Sequence, residues 1–154
     1  MRPITGITIL GIRLGVIVVG LYWLTLFVGT HLPAGRAVGP QINDKVLHFS
    51  GFFLLSLLCC YATQSSPNDR RGTVRRFAKI AGGLALYAAI DELTQAFSVG
   101  RTTDVRDFLA DVAGTVTAIA VYLLLRTALR RRATHRQDQG TQWEPSESTT
   151  RRSA

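Results

Sequence analysis

Between Ala89 and Gly114 the chain gathers Asp91, Glu92, Gln95, Arg101, Asp104, Asp107 and Asp111, and Asp44, Lys45 and His48 stand where an earlier apolar block begins. Carboxylates beside a histidine can move protons, since imidazole titrates near neutral pH. With Lys45 and Arg101 the same acids can instead hold a ligand bearing anionic, cationic or hydroxyl groups. His48 and Glu92 are the candidate general bases. Ser50 and Ser98 lie near the cluster, but no triad context marks either as a nucleophile. One histidine among carboxylates can hold a divalent ion, yet neither an H-x-x-x-H nor a D-x-D arrangement supports it, so no metal and no other cofactor is expected.

The elements that must position these residues are apolar. A 47% share of apolar residues would suit a soluble protein, but here they fall into four blocks, 14–32, 46–63, 80–97 and 108–125. Each has close to the ~20 residues that cross a ~30 Å hydrocarbon core at 1.5 Å per residue. In the first block the run from Val16 to Leu24 offers water no polar face, which argues against a soluble bundle, and no A-x-A-like cleavage site follows it. The expected fold is therefore all-α, a polytopic bundle of four transmembrane helices over residues 1–132, followed by a disordered polar tail over 133–154. Ionisable groups cost roughly 2.5–3.5 kcal/mol each at the centre of a spanning helix. Folding alone does not ask for so many at one membrane edge.

The net charge of +8 supports that topology. Arginines and Lys79 cluster before the first block, between the second and third, and after the fourth; only Arg36, Lys45, Arg101 and Arg106 fall on the opposite side. The positive-inside rule then places both termini in the cytoplasm. Six of the ten acids lie with the outer half. No base-stacking aromatics accompany the arginines, so nucleic acid is excluded as a partner and membrane lipid is the expected one. Cys59 and Cys60 are adjacent, have no metal or redox spacing, and read as packing residues.

Residues four apart share a helix face. Asp44 and His48 do so at the start of the second helix, Asp91 and Gln95 at the end of the third, and Asp104, Asp107 and Asp111 line the entry to the fourth. The three helix ends converge on a recessed pocket opening outward. Ion pairing within the group, Arg101 or Arg106 with Asp104 or Lys45 with Glu92, is the alternative purely structural reading. Small residues at four-residue spacing, Ala81, Ala85 and Ala89, then Ala110, Gly114 and Ala118, point to packing of the third helix on the fourth.

The joint spacing of D-K-x-x-H (Asp44 to His48), E-x-x-Q (Glu92 to Gln95) and G-R-x-x-D-x-x-D (Gly100 to Asp107) resembles the VanZ-like family of small bacterial membrane proteins, over about Leu14 to Leu125. Asp111 departs from it, since the family usually carries Asn there. The resemblance implies a bacterial inner-membrane location and an association with low-level teicoplanin resistance. It carries functional weight onto Asp44, Lys45, His48, Glu92, Gln95, Arg101, Asp104 and Asp107. The leading expectation is an envelope protein whose outward pocket binds a lipid headgroup or cell-wall-related ligand. The rival is a membrane-embedded acid–base enzyme acting on a lipid-linked substrate. A transporter would need more than four short helices, which a homo-oligomer would supply.

Overall fold

The computed structural model describes residues 8–9, 12–32, 43–63 and 70–141. Thr8–Ile9 (β1) and Ile12–Arg13 (β2) form a minimal antiparallel pair, with Thr8 opposite Arg13. Four helices follow: α1 (Leu14–His31), α2 (Asp44–Ala62), α3 (Arg70–Gln95) and α4 (Val105–Thr141). The chain divides into two units, Met1–Tyr122 and Leu123–Ala154.

The all-α expectation holds, and α1, α2 and the Val105–Arg132 part of α4 are each long and apolar enough to cross a membrane. Helix α3 does not meet that measure. It begins at Arg70, ten residues ahead of its apolar block, and runs through Arg71, Arg75, Arg76 and Lys79. Arginine and lysine are good helix formers, so the backbone ladder continues past the apolar limit. The same physics lengthens α4. Ala128 to Ala133 favour helix, and the helix continues to Thr141, where a structureless polar tail was expected from residue 133. Residues 142–154 lie outside the described residues.

Burial is inverted relative to a water-soluble bundle. Asp91 and Asp111 are each 1% exposed, whereas Leu86, Leu93, Leu109 and Leu124 are more than half exposed. Helix α1 has no buried residue. That is the pattern of a chain whose outward surface meets hydrocarbon and whose polar groups must satisfy one another inside. The apolar core is thin: Phe52, Leu55, Cys60, Phe77, Ala88 and Ala118. Phe52 stacks on Tyr87 at 5.4 Å between ring centres, and Trp23 meets Tyr87 at 5.7 Å. Cys59 and Cys60 are free thiols, the second buried. At the basic end of α3, Arg76 donates to the Cys60 carbonyl and, through Nε, to Thr63 Oγ1 at 3.1 Å, and lies over the Phe77 ring.

Glycine decides how closely two helices approach. A Cβ at Gly114 would stand 2.3 Å from the Phe49 carbonyl oxygen and 3.1 Å from the Phe53 nitrogen. The small-residue stripe of α4 is thus spent at Gly114 on the backbone of α2, not on α3 as its spacing suggested. The stripe specifies a close contact but not its partner. In α1, Gly15 faces Ala62 of α2, with a hypothetical Cβ–Cβ distance of 3.2 Å, and Gly20 faces open space.

Candidate functional site

Three helix ends carry the polar residues, and each is set by local backbone chemistry. Asn43 caps α2, its Oδ1 accepting the Lys45 N–H at 3.0 Å. Asp104 caps α4: its Oδ1 accepts the Arg106 N–H at 2.9 Å and its carbonyl the Asp107 N–H at 2.8 Å. The chain reverses between α3 and α4 through Gly100, whose φ of 78° lies in the left-handed region that favours glycine. The Arg101 N–H closes that turn on the Ser98 carbonyl at 3.2 Å.

The expected cluster resolves into two networks. In the first, Asp91 receives three donors: Thr30 Oγ1 at 3.1 Å and Tyr87 Oη at 3.3 Å on Oδ1, and Gln95 Nε2 at 3.0 Å on Oδ2. Gln95 Oε1 in turn accepts from Arg101 Nη1 at 3.3 Å, while Arg101 Nε donates to the Leu32 carbonyl at 3.2 Å. This relay ties α1 to α3 and to the following turn. Asp91 is fully engaged in it.

The second network joins α2, α3 and the start of α4. Lys45 Nζ donates to Asp107 Oδ1 at 2.7 Å and Asp104 Oδ2 at 2.9 Å. Lys45 first, then the Arg106 N–H, holds the Asp104 carboxyl below the usual aspartate range. Glu92 Oε1 accepts the Asp104 N–H. His48 Nδ1 lies 3.0 Å from Asp111 Oδ1, both residues being buried. Among the described residues, three buried side-chain atoms have no hydrogen-bond partner: Glu92 Oε2, Asp111 Oδ2 and Thr115 Oγ1. Two of the three belong to this network, and such groups are costly to leave unsatisfied.

Lys45 therefore pairs with Asp104 and Asp107, where a pairing with Glu92 had been considered, and Arg101 binds Gln95 and a carbonyl where Asp104 had been its considered partner. Asp44 is exposed at the start of α2, one turn before His48. Sequence reasoning missed Thr30 and His31 at the end of α1. His31 Nε2 lies 3.0 Å from Thr94 Oγ1 and its Nδ1 2.8 Å from the Phe27 carbonyl. Their signal was a polar pair closing an otherwise apolar block, which reads equally as the loop's first residues.

A cleft of about 410 Å³ is lined by α1, α2 and Arg101. Thr30, Asp44, His48 and Arg101 line its polar end; Tyr22, Leu26, Phe52 and Leu54, one to two turns further along α1 and α2, line its apolar part.

Comparison with known proteins bears on the whole of this arrangement. The family model VanZ/LLP1 matches residues 16–126, which include both networks and the cleft. The chain is also similar to the Schizosaccharomyces pombe protein named Uncharacterized protein C11E3.10, at 29% identity over 107 residues, covering 70% of this chain and 63% of that relative. This chain thus matches less than two thirds of the relative's length. No solved structure matches. With both networks inside the matched region, the chain is a multi-pass membrane protein and belongs to the VanZ/LLP1 family.

Proposed function

We propose that this protein binds the headgroup of a phospholipid in the cleft between α1 and α2, at the outer face of a membrane that all four helices cross, with both termini in the cytoplasm. The observation that supports this reading is the cleft's amphipathic lining, charged at one end and apolar along the rest. Its volume falls within the ~300–1,000 Å³ typical of ligand sites. Arg101 meets the phosphate: Nη1 and Nε are used internally, and among the described residues no partner takes Nη2. The acyl chain lies along Leu26 and Leu54. A relative in fission yeast favours a phospholipid over a bacterial wall polymer, because phospholipid headgroups are common to bacterial and yeast membranes.

Arg101→Gln should weaken binding of phosphatidylethanolamine by the purified protein about tenfold to a hundredfold, the worth of one hydrogen bond to a charged group at roughly 1.5–3 kcal/mol. Native mass spectrometry of the detergent-solubilised chain reads this directly, and unchanged occupancy in Arg101→Gln would remove Arg101 from the site. Topology is tested by Thr102→Cys and Gly72→Cys with Cys59 and Cys60 replaced. An impermeant thiol reagent applied to intact cells should label position 102 and leave 72 untouched; the reverse pattern would turn the site to the cytoplasm.

A second reading is supported by the His48–Asp111 pair. A carboxylate that holds Nδ1 orients the imidazole as a general base, as in hydrolytic sites. In that case His48→Gln abolishes turnover of a lipid-linked substrate while its binding persists, whereas a binding protein shows no turnover to lose.

A further inference from the structure

We propose that Asp44, His48 and Asp107 form a binding site for a divalent transition-metal ion, Mn²⁺ or Zn²⁺. Asp44 and His48 occupy one face of α2 at i and i+4, and Asp107 stands in the first turn of α4. One donor atom from each lies within 4.8 Å of the others. Donors about 2.0–2.2 Å from a tetrahedral ion stand roughly 3.4 Å apart, so the site is open by little more than an ångström. Asp44, exposed at the helix start, is free to close that gap.

Two observations beyond proximity point to an ion. The first is the support given to His48. Its Nδ1 faces Asp111 Oδ1 at 3.0 Å; with the Asp111 carboxylate accepting from Nδ1–H, a neutral imidazole keeps its lone pair on Nε2. A carboxylate holding the far nitrogen is the usual way a ligating histidine is oriented and made more basic. The second is Glu92, 5% exposed, whose Oε2 has no hydrogen-bond partner. Its Oε1 accepts the Asp104 N–H, and Asp104 and Asp107 share Lys45, so the orphaned oxygen belongs to the network that holds Asp107.

The charges present admit a cation. Asp44 and Asp107 are carboxylates of the site itself, Asp104 and Asp111 bind its neighbours Lys45 and His48, and Lys45 is the fixed cation of that network. Lys45 is the competitor, since its ammonium binds Asp107 Oδ1. It also holds Asp104 and can keep that partner while Asp107 turns to the ion. A nitrogen donor among carboxylates suits Mn²⁺ or Zn²⁺ better than Ca²⁺ or Mg²⁺, which favour all-oxygen shells.

The inference does not depend on a lipid ligand and is tested without one. The full chain, purified in detergent and stripped with a chelator, is titrated with Mn²⁺ and followed by electron paramagnetic resonance, with Zn²⁺ as the competing ion. The expected result is one Mn²⁺ per chain, displaced by Zn²⁺, with nitrogen coupling from a single imidazole. His48→Gln should remove that coupling, Asp44→Asn and Asp107→Asn should each weaken binding about tenfold or more, and Lys45→Met should tighten it. Asp44→Asn alters an exposed side chain, so its effect is readable even where a buried change harms folding. Saturable binding absent up to about 1 mM overturns the proposal. So does binding without nitrogen coupling, or affinity that Asp44→Asn leaves unaltered.

Discussion

Gly114→Ala should yield a protein that melts well below the wild type in detergent, despite adding only one methyl group. The substitution gains up to about 1 kcal/mol of helix propensity. Against this, the new Cβ would stand 2.3 Å from the Phe49 carbonyl oxygen, and backbone cannot rotate away as a side chain can. Overpacking usually costs about 1–3 kcal/mol, and a clash with backbone sits at or above the top of that range, so the loss wins. The consequence reaches the polar site. Phe49 follows His48, and Gly114 lies three residues after Asp111, so separating α2 from α4 stretches the 3.0 Å His48–Asp111 contact. Two companion substitutions make the measurement specific. Gly51→Ala meets Leu26 Cδ1 at 2.6 Å, the far end of a flexible side chain, and should cost little. Gly20→Ala meets nothing within 4 Å and should be neutral or stabilising. A thermal ramp read by size-exclusion chromatography should rank Gly20→Ala, Gly51→Ala, Gly114→Ala from most to least stable. Equal melting of the three would show that α2 and α4 do not touch at Gly114.

Asp91→Ala should be similarly damaging, for an electrostatic reason. The carboxylate is buried and takes donors from Thr30, Tyr87 and Gln95. Removing it leaves Tyr87 and Gln95 without their acceptor, while Thr30 keeps the Phe27 carbonyl at 3.0 Å, and each unsatisfied buried group costs ~1–3 kcal/mol. Asp91→Asn separates the loss of an acceptor from the loss of volume. An asparagine presents one oxygen and one NH₂. Set with its oxygen toward Gln95, it keeps that bond and turns its NH₂ to the Thr30 and Tyr87 hydroxyls, which accept as well as donate. The relay from Arg101 through Gln95 to position 91 then survives the change. Asp91→Asn should therefore fold and melt above Asp91→Ala, with trypsin cleavage at Arg101 close to that of the wild type. If Asp91→Ala melts at the wild-type temperature, Asp91 does not tie α1 to α3.

The two adjacent acids, Asp91 and Glu92, show how far the residues could be read without coordinates. Their presence in an apolar block marked the site, because ionisable groups are too costly there to be incidental. Successive helical residues point about 100° apart. Asp91 accordingly turns toward Thr30 of α1, and Glu92 toward the Asp104 cap of α4. Periodicity shows that the two diverge but not which neighbour each meets. The same limit applies to Lys45, whose long side chain could reach several acids and in fact holds Asp104 and Asp107.

The sequence by itself determined the four helices and the polar end at which function must be sought. Those depend on block length and on the cost of ionisable groups in an apolar block, both of which are local. Only the tertiary structure decided that Gly114 serves α2, that Asp91 is saturated while Glu92 Oε2 is not, and that Asp44, His48 and Asp107 converge. The reason is that these facts are distances between helices, set by which backbones can approach. One missing Cβ on α4 controls that approach and leaves no mark on the spacing of the residues it brings together.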